Sequence, residues 1–372
     1  MLCIVSAMKF ITRLSVVAAL IAIAGCATLF TSERNAHYNP AKSHHTPEGF
    51  RNNYGAELPD GSFLRWQWER LRDGTPAPPP GGWASVIPTV KPDVAFLKRN
   101  RTERTLTWIG HATMLVQTNG VNILTDPHFS ERASPVQFAG PIRHVPLTVT
   151  VNDLPEIDVI FVSHSHYDHL DTGSIEALQQ RFPNATYIVP LGLAAWFREL
   201  GISKIHELDW WDAVAFRGLN FTFVPAKHWS KRTPFDRDNS LWGGIVIEAR
   251  AALGGAAGAA PWRFVYTGDT AYSRDFADIA ARFPGGFDWL AVPIGAYAPR
   301  WFMQTQHVNA EEAVQIMKDL GARQALGVHW GSFALTDEAL DQPPKDLATA
   351  LAKHAVPAGR FHVFKGGEMR RM

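Results

Sequence analysis

The chain has 372 residues, is 46% hydrophobic and carries a formal net charge of +1, so it can bury a large core as one big domain or two ordinary ones. No single-sign charge block stands out, which sets aside nucleic acid as a partner. Thirteen tryptophans and 22 phenylalanines are enough to fill a core and still line an apolar cleft.

The N-terminus reads as an address rather than fold. From Met8, a candidate true start, "MKFITRLSVVAALIAIAGC" places Lys9 and Arg13 before an apolar run from Leu14 to Ala24. That run is too short for a comfortable membrane span and has the layout of a secretory signal. "IAGC" at Ile23–Cys26 resembles the bacterial lipobox. The resemblance implies removal of residues 1–25 and acylation of Cys26, with an ordinary secretory signal as the alternative. Ala27 after the cysteine resembles the sorting pattern for the outer membrane, with the protein facing the periplasm. Cys3 would be lost with the signal, leaving no thiol for a disulfide or a metal.

Residues 26–50 are polar and aperiodic and are expected to be a lipidated tether. Residues 51–104, with the Pro-rich "TPAPPPGG" at Thr75–Gly82, form an extension expected to pack on a hydrolase domain over 105–372. From Thr105 the pattern sharpens. "TLTWIG" and "TMLVQT" read as strands, and Asn119-Gly120 is a hairpin signal before "VNILTD". "IDVIFVSH" reads as a buried strand and "TGSIEALQQRF" as a helix capped by Asp171. "TYIVP" is a strand and "LGLAAWFREL" a helix ended by Gly201. "AVAFRG" and "LNFTFVP" pair as a hairpin, and "LWGGIVIEA" is a strand. The Ala/Gly-rich "RAALGGAAGAAP" suits a surface loop. "RFVYTGD" and "FDWLAVPIG" are strands leading to helices, and "RQALGVHW" and "RFHVFKG" close the series. Strand pairs followed by βα units predict a mixed-sheet α/β fold with helices outside.

The sharpest signal is "SHSHYDHLD" at Ser163–Asp171. On a strand, His164 and His166 would share a face, and Asp168 and His169 would follow from the turn. Neutral imidazoles with carboxylates and no thiolate suit Zn²⁺, Mn²⁺ or Fe²⁺, not a Cys-type structural zinc.

This H-x-H-x-D-H motif resembles the metallo-β-lactamase superfamily. That family's further motifs are matched in order by Asp126 in "ILTDP", His228 in "FVPAKHW", Asp269 in "VYTGDT" and His329 in "LGVHWGSF". "GHAT", "HSHYDHLD", "HWSKRTPFDRDNSLWGG", "YTGDT" and "PIGAYAPRWFMQTQHVN" resemble more closely the N-acylphosphatidylethanolamine-hydrolysing phospholipase D family. The likeness runs from Thr105 to Gly367. It implies an αββα sandwich of two face-to-face mixed sheets and two Zn²⁺ per chain. One metal would take His164, His166, His228 and Asp269. The other would take Asp168, His169, His329 and the shared Asp269, with Asp126 and His111 supporting them.

The same resemblance implies that Gln306 and His307 contact substrate and that Asp168 and His307 serve catalysis. Trp229, Phe235, Trp301, Phe302 and Met303 lie on the neighbouring loops. There they either receive acyl chains or pack beneath the loops, with Lys231, Arg232 or Arg300 near a phosphate. The implied activity is phosphodiester cleavage of an N-acylated phospholipid, so the partners are a lipid substrate and the membrane. A lactonase or small-ester hydrolase, and a non-catalytic metal-binding envelope lipoprotein, are the competing readings. The oligomeric state is left open, a homodimer included. The remaining histidines, His44, His45 and His128 among them, are read as solvent or core residues.

Overall fold

The computed structural model describes residues 35–55, 61–249 and 260–372. The expected signal, Cys26 and the Ala/Gly-rich stretch over 250–259 lie outside these. Two seven-stranded sheets carry the fold. The first has the order β16-β3-β4-β5-β6-β7-β8: β3 is Thr105–Gly110, β4 Thr113–Thr118, β5 Val121–Thr125, β6 Val159–Phe161, β7 Thr186–Pro190, β8 Ile205–Leu208 and β16 Met369–Arg371. The second has the order β15-β14-β13-β12-β11-β10-β9: β9 is Ala213–Phe216, β10 Leu219–Val224, β11 Gly244–Ala249, β12 Trp262–Tyr266, β13 Trp289–Pro293, β14 Gln324–Val328 and β15 Phe361–His362.

The two sheets repeat one plan. Each begins with antiparallel hairpins and finishes with parallel strands, joined through helical crossovers except between β5 and β6, where a long loop makes the connection. The hairpin turns follow from sequence, because Asn119-Gly120 and Arg217-Gly218 are left-handed at both positions, as a tight two-residue turn requires.

Alternation along the strands builds the layers. In β6, Val159 and Phe161 join the core between the sheets, while Ile160, and Val162 just after the strand, face the helix side. Phe161 meets Phe223 and Tyr266 of the opposite sheet, each at 6.2 Å between ring centres. Outside the first sheet lie α3 (Thr172–Arg181) and α4 (Ala194–Glu199), contributing Ile175, Leu178 and Phe197 to its outer core. Outside the second lie α5 (Asp275–Arg282), α7 (Ala310–Asp319) and α8 (Gln342–Lys353), contributing Ile279, Val314 and Leu347. The result is the αββα sandwich the resemblance implied. Asp171 caps α3 by accepting from the Ser174 N–H, as its position predicted.

Two expectations change. β6 stops at Phe161, so His164 and His166 converge through a loop and not through strand alternation. Residues 35–50, expected within the tether, are packed. A ribbon of β1 (His45–Thr46) and β2 (Gly49–Phe50) lies on the domain, with Phe50 buried in the main hydrophobic core and His44 and His45 on Asp209. The extension also packs: α1 (Ser62–Asp73) sets Trp66 against Phe302 of α6 (Arg300–Met303), and α2 (Val94–Arg99) buries Leu97 beside the first sheet.

The "TGDT" turn after β12 is packed tightly against the segments before β11 and after β6. Gly268 has φ +63°, and a Cβ there would lie 2.5 Å from the Gly243 carbonyl oxygen and 3.0 Å from Ser163 Cβ. A left-handed alanine costs about 1–2 kcal/mol by itself, and the contact with Gly243 adds to it. Gly268→Ala should therefore lower unfolding free energy in urea by at least ~2 kcal/mol. A change within ~0.5 kcal/mol would show that this turn relaxes freely.

Candidate metal centre

The loops that carry the motif residues all leave the C-terminal ends of strands at one edge of the sandwich. His111 follows β3, Asp126 β5, the His164–His169 stretch β6, His228 β10, Asp269 β12 and His329 β14. Strands sharing a direction deliver their loops to the same rim, which is why residues over 200 positions apart meet.

One group gathers His164, His166 and His228. His164 Nε2 lies 2.8 Å and His228 Nε2 3.2 Å from His166 Nδ1. The tautomers follow from the outer contacts. Ser163 Oγ gives its proton to Asp126, so it accepts from His164 Nδ1 at 2.9 Å. His228 Nδ1 donates to the Gln306 carbonyl at 2.9 Å. Both Nε2 atoms therefore turn lone pairs inward.

The second group gathers His111, Asp168, His169 and His329. His169 Nδ1 donates to Asp126 at 2.8 Å. Its Nε2 lone pair then faces Asp168 Oδ2 at 3.3 Å and Asp269 Oδ2 at 3.1 Å. His329 Nε2 stands 3.1 Å and 3.0 Å from the same two oxygens. His111 Nε2 meets Asp168 Oδ2 at 2.9 Å.

Asp269 lies between the groups, with Oδ2 3.8 Å from His228 Nε2 and 3.9 Å from His307 Nδ1. Its Oδ1 is buried without a hydrogen-bond partner, as are His166 Nε2 and His329 Nδ1. Lone pairs facing carboxylates in a buried site need cations between them. The donor set fits divalent metal of the N/O-preferring kind.

The electrostatics carry the same demand. Burial works against a charged His329, yet Asp269 and the hydrogen bonds of Asp168 and Asp269 push its pKa up to about 9. Burial likewise opposes a charged His169, and Asp269 and Asp168 drive it well above the usual range. Burial would raise the Asp269 carboxyl, but His169 and His329 hold it well below. Without metals the two histidines would collect protons; with metals the same field holds the ions. His166 and His307, by contrast, are each brought down to about 4 by burial and are neutral imidazoles at pH 7.

The remaining sequence-predicted residues fall as follows. Asp126 touches no second metal-facing group; it receives the Ser163 N–H (2.7 Å), Ser163 Oγ–H (2.6 Å), His169 Nδ1–H (2.8 Å) and Tyr266 O–H (2.6 Å). His111 supports Asp168 and stacks on His329 with ring centres 4.1 Å apart. Gln306 reaches the site through its carbonyl on His228, a role its residue type did not announce. Trp229 lies edge-on against His166 at 4.5 Å, at the mouth. Trp301 packs on α1, its indole N–H on Glu69 at 3.0 Å and Arg65 over its ring at 4.1 Å. Phe302 and Met303 are buried beside Trp66.

Two arginines expected near a phosphate are committed elsewhere. Arg232 donates to the Ser165 and Leu170 carbonyls and to Thr172 Oγ1, and so clamps the ligand loop. Arg300 donates to the His307 carbonyl and pairs with Glu312.

Sequence reasoning missed Asn52 and Tyr266. Asn52 grips the backbone of His228 in both directions, donating from Nδ2 to its carbonyl (2.8 Å) and accepting its N–H at Oδ1 (3.0 Å). An asparagine 176 positions away from its partner leaves no local signal. His44 and His45, read as solvent or core, fasten the same segment to Asp209 at 2.7 and 2.9 Å, beside a Lys42–Asp209 ion pair. Burial would raise the Asp209 carboxyl, but hydrogen bonds from His44 and Lys42 more than offset it and hold it below its ordinary range. His128 is buried against Phe333, with Arg143 on its Nδ1 at 2.9 Å.

Replacing Asn52 by Leu keeps bulk and removes both hydrogen bonds to His228. The expected result is about 10-fold or more weaker metal binding, by analogy with the loss of outer-shell partners elsewhere, with fold retained by circular dichroism. Metal titration with unchanged affinity would reduce Asn52 to a packing residue.

The comparisons with known proteins agree with this geometry. The beta-lactamase superfamily domain matches residues 121–330. The N-acyl-phosphatidylethanolamine-hydrolyzing phospholipase D 1 of Caenorhabditis elegans is 38% identical over 252 residues, covering 64% of this chain and 67% of that protein. A mitochondrial protein of the same name from Saccharomyces cerevisiae is 35% identical over 246 residues, covering 65% of this chain and 50% of its own length. Among solved structures, an isothiocyanate hydrolase from Delia radicum gut bacteria has a TM-score of 0.55 at 20% identity, covering 72% of this chain and 98% of that one. A possible metal-dependent hydrolase from Veillonella parvula has a TM-score of 0.57 at 16% identity, covering 73% and 100%. These last two speak for the fold alone. With strands, ligand loops and relatives in agreement, the chain belongs to the metallo-β-lactamase superfamily and is a metal-dependent hydrolase with relatives among the N-acyl-phosphatidylethanolamine-hydrolysing phospholipases D.

Proposed function

We propose that this hydrolase is a dinuclear zinc phosphodiesterase of the phospholipase D type, cleaving N-acylphosphatidylethanolamine or a related lipid. The observation that carries the reading is the meeting of two ligand groups at Asp269 with the neutral His307 imidazole beside that carboxylate. The names of its relatives in Caenorhabditis elegans and Saccharomyces cerevisiae support the same chemistry. When bound, two such metals supply a water ionised near neutral pH and positive charge for phosphoryl oxygens.

The protein's own groups do the rest. Asp168, held by His111, orients the attacking water. Its oxygen bonds to phosphorus as the bond from phosphorus to the ethanolamine oxygen breaks. His307 is braced through its own carbonyl by Arg300. As a neutral imidazole it donates a hydrogen bond to a phosphoryl oxygen or the departing alkoxide. The alkoxide takes up a proton, and the products are phosphatidic acid and an N-acylethanolamine. Trp229 at the mouth supplies apolar surface for an acyl chain.

Three measurements test the reading. Metal analysis of the purified chain should give two zinc ions, and Asp269→Ala should lower occupancy at both positions; a single ion at full loading would overturn the dinuclear assignment. With N-acylphosphatidylethanolamine in mixed micelles the phosphate-containing product should be phosphatidic acid. His307→Ala should keep its metal and lose about 10²–10³ in turnover. Lactone opening without any phosphatidic acid would instead make the protein an ester hydrolase. We further propose that Cys26 carries lipid and holds the protein at the outer membrane, facing the periplasm. Cys26→Ala should abolish labelling by a fatty-acid probe, and an unlabelled wild-type chain would make the protein merely secreted.

A further inference from the structure

Helix α1, "SFLRWQWERLRD", turns the wrong side chains outward. Phe63, Leu64, Trp68 and Leu71 are 57%, 72%, 64% and 79% exposed. At 3.6 residues per turn they occupy one arc of about 140°. The opposite side carries Trp66, buried against Phe302 with its N–H on Asp337 at 2.7 Å, and Glu69, which meets Trp301. The helix is thus fixed to the domain by one face and shows an apolar stripe on the other. Isolated exposed apolar residues are ordinary on soluble proteins; four on three turns of one helix are a binding face.

We propose that this stripe lies in a lipid surface, with α1 parallel to the membrane plane. Three features of the molecule choose a bilayer over a second copy of the chain. First, the stripe is small. Twelve residues give a helix about 18 Å long, and four large side chains exposed to this degree offer on the order of 500 Å², against about 800 Å² per partner in a stable protein interface. Second, Arg65 and Arg72 run along one flank, with Arg70 on the other. Arg70 is paired with Asp337, but the pairs of Arg65 with Glu69 and of Arg72 with Asp73 lie at the surface and are weak, so phosphate headgroups can replace those two. Apolar residues with tryptophan between arginine flanks are the pattern of a helix that lies in the interface. Third, Trp68 stands in the stripe beside Leu64 and Leu71, and tryptophan is the residue type enriched at the level of lipid headgroups. The chain N-terminal to the described part adds to this. From Cys26 to Asn35 is nine residues, a reach of at most about 30 Å, which keeps the domain against any membrane that holds Cys26.

The placement bears on the site, and in this respect the inference rests on the lipid-hydrolase reading. α1 packs on α6, and α6 leads within four residues to His307. A membrane-seated α1 therefore sets the substrate-facing loop at the level of the headgroups.

The test uses the full chain with vesicles of phosphatidylethanolamine and phosphatidylglycerol, with and without brominated acyl chains, read by tryptophan emission in the absence of turnover. Brominated lipid should quench the native protein, and Trp68→Phe should lose at least half of that quench. Because the signal reports the depth of one side chain, a lipid anchor at the N-terminus does not mimic it. The double variant Leu64→Glu/Leu71→Glu should hydrolyse vesicle-borne N-acylphosphatidylethanolamine about 10-fold less efficiently while cleaving soluble bis(p-nitrophenyl) phosphate at the native rate. If the lipid is no substrate at all, the quench still stands or falls alone. Equal quenching of native protein and Trp68→Phe would overturn the inference. So would a lipid-free dimer, seen by sedimentation, that the double variant splits, since a second copy would then cover the stripe.

Discussion

A single buried carboxylate organises this protein. Asp126, in the left-handed conformation at φ 36°, collects four hydrogen bonds from three directions. From the motif loop come Ser163 and His169, and from the opposite sheet comes Tyr266. The Ser163 hydroxyl passes the constraint on to His164. One acceptor thereby sets the tautomers of a histidine in each ligand group and ties the two sheets together at the rim. Burying an ionised carboxylate is expensive, and only full satisfaction of its lone pairs makes it tolerable. The geometry of the metal centre is accordingly a property of the sandwich and not of a flexible loop. Left-handed backbone at His111 and His329, φ 53° and 59°, points the same way, since such conformations persist where surroundings over-determine them.

The N-terminal segment adds a second brace from outside the sandwich. It crosses from Asp209, where His44 and His45 hold it, through Phe50 in the core to Asn52 on the backbone of His228. Beyond that, Asn53 and Tyr54 meet Asp275 and Asp278 at the start of α5. His228 is thus held from its imidazole by Gln306, from its backbone by Asn52, and at one remove by Trp242, whose indole N–H reaches Asn52 at 3.1 Å.

The parts legible in sequence were those whose cause is local. Period-two strands, the Asn119-Gly120 turn, the Asp171 cap and the H-x-H-x-D-H spacing each announce themselves within a dozen residues. The order of the distant ligands became readable only by likeness to a family, because nothing near His228 or His329 says what faces them. Parts without a local cause were lost. Asn52 and Tyr266 act on partners 176 and 140 positions away. His44 and His45 look like solvated polar residues until Asp209 is placed beneath them. Arg232 looks free in "HWSKRTPFD" and is spent on two carbonyls of the ligand loop. Charged side chains near a site advertise ligand binding in sequence, yet their hydrogen-bond capacity is settled by whichever buried acceptor the fold supplies.

The spread of the ligands along the chain has a kinetic meaning. His164, His166, Asp168 and His169 are neighbours in sequence, so this half of the candidate site is close together even before the sheets meet. Asp269 and His329 arrive only when the second sheet has docked on the first, since they come from β12 and β14. Contacts of such sequence separation form late in folding, and metal binding to the assembled site is drawn from folding free energy. That half can meet ions early, but the full donor set exists only once the two sheets have docked. The ion that stays is therefore selected by the metal supply present at that moment.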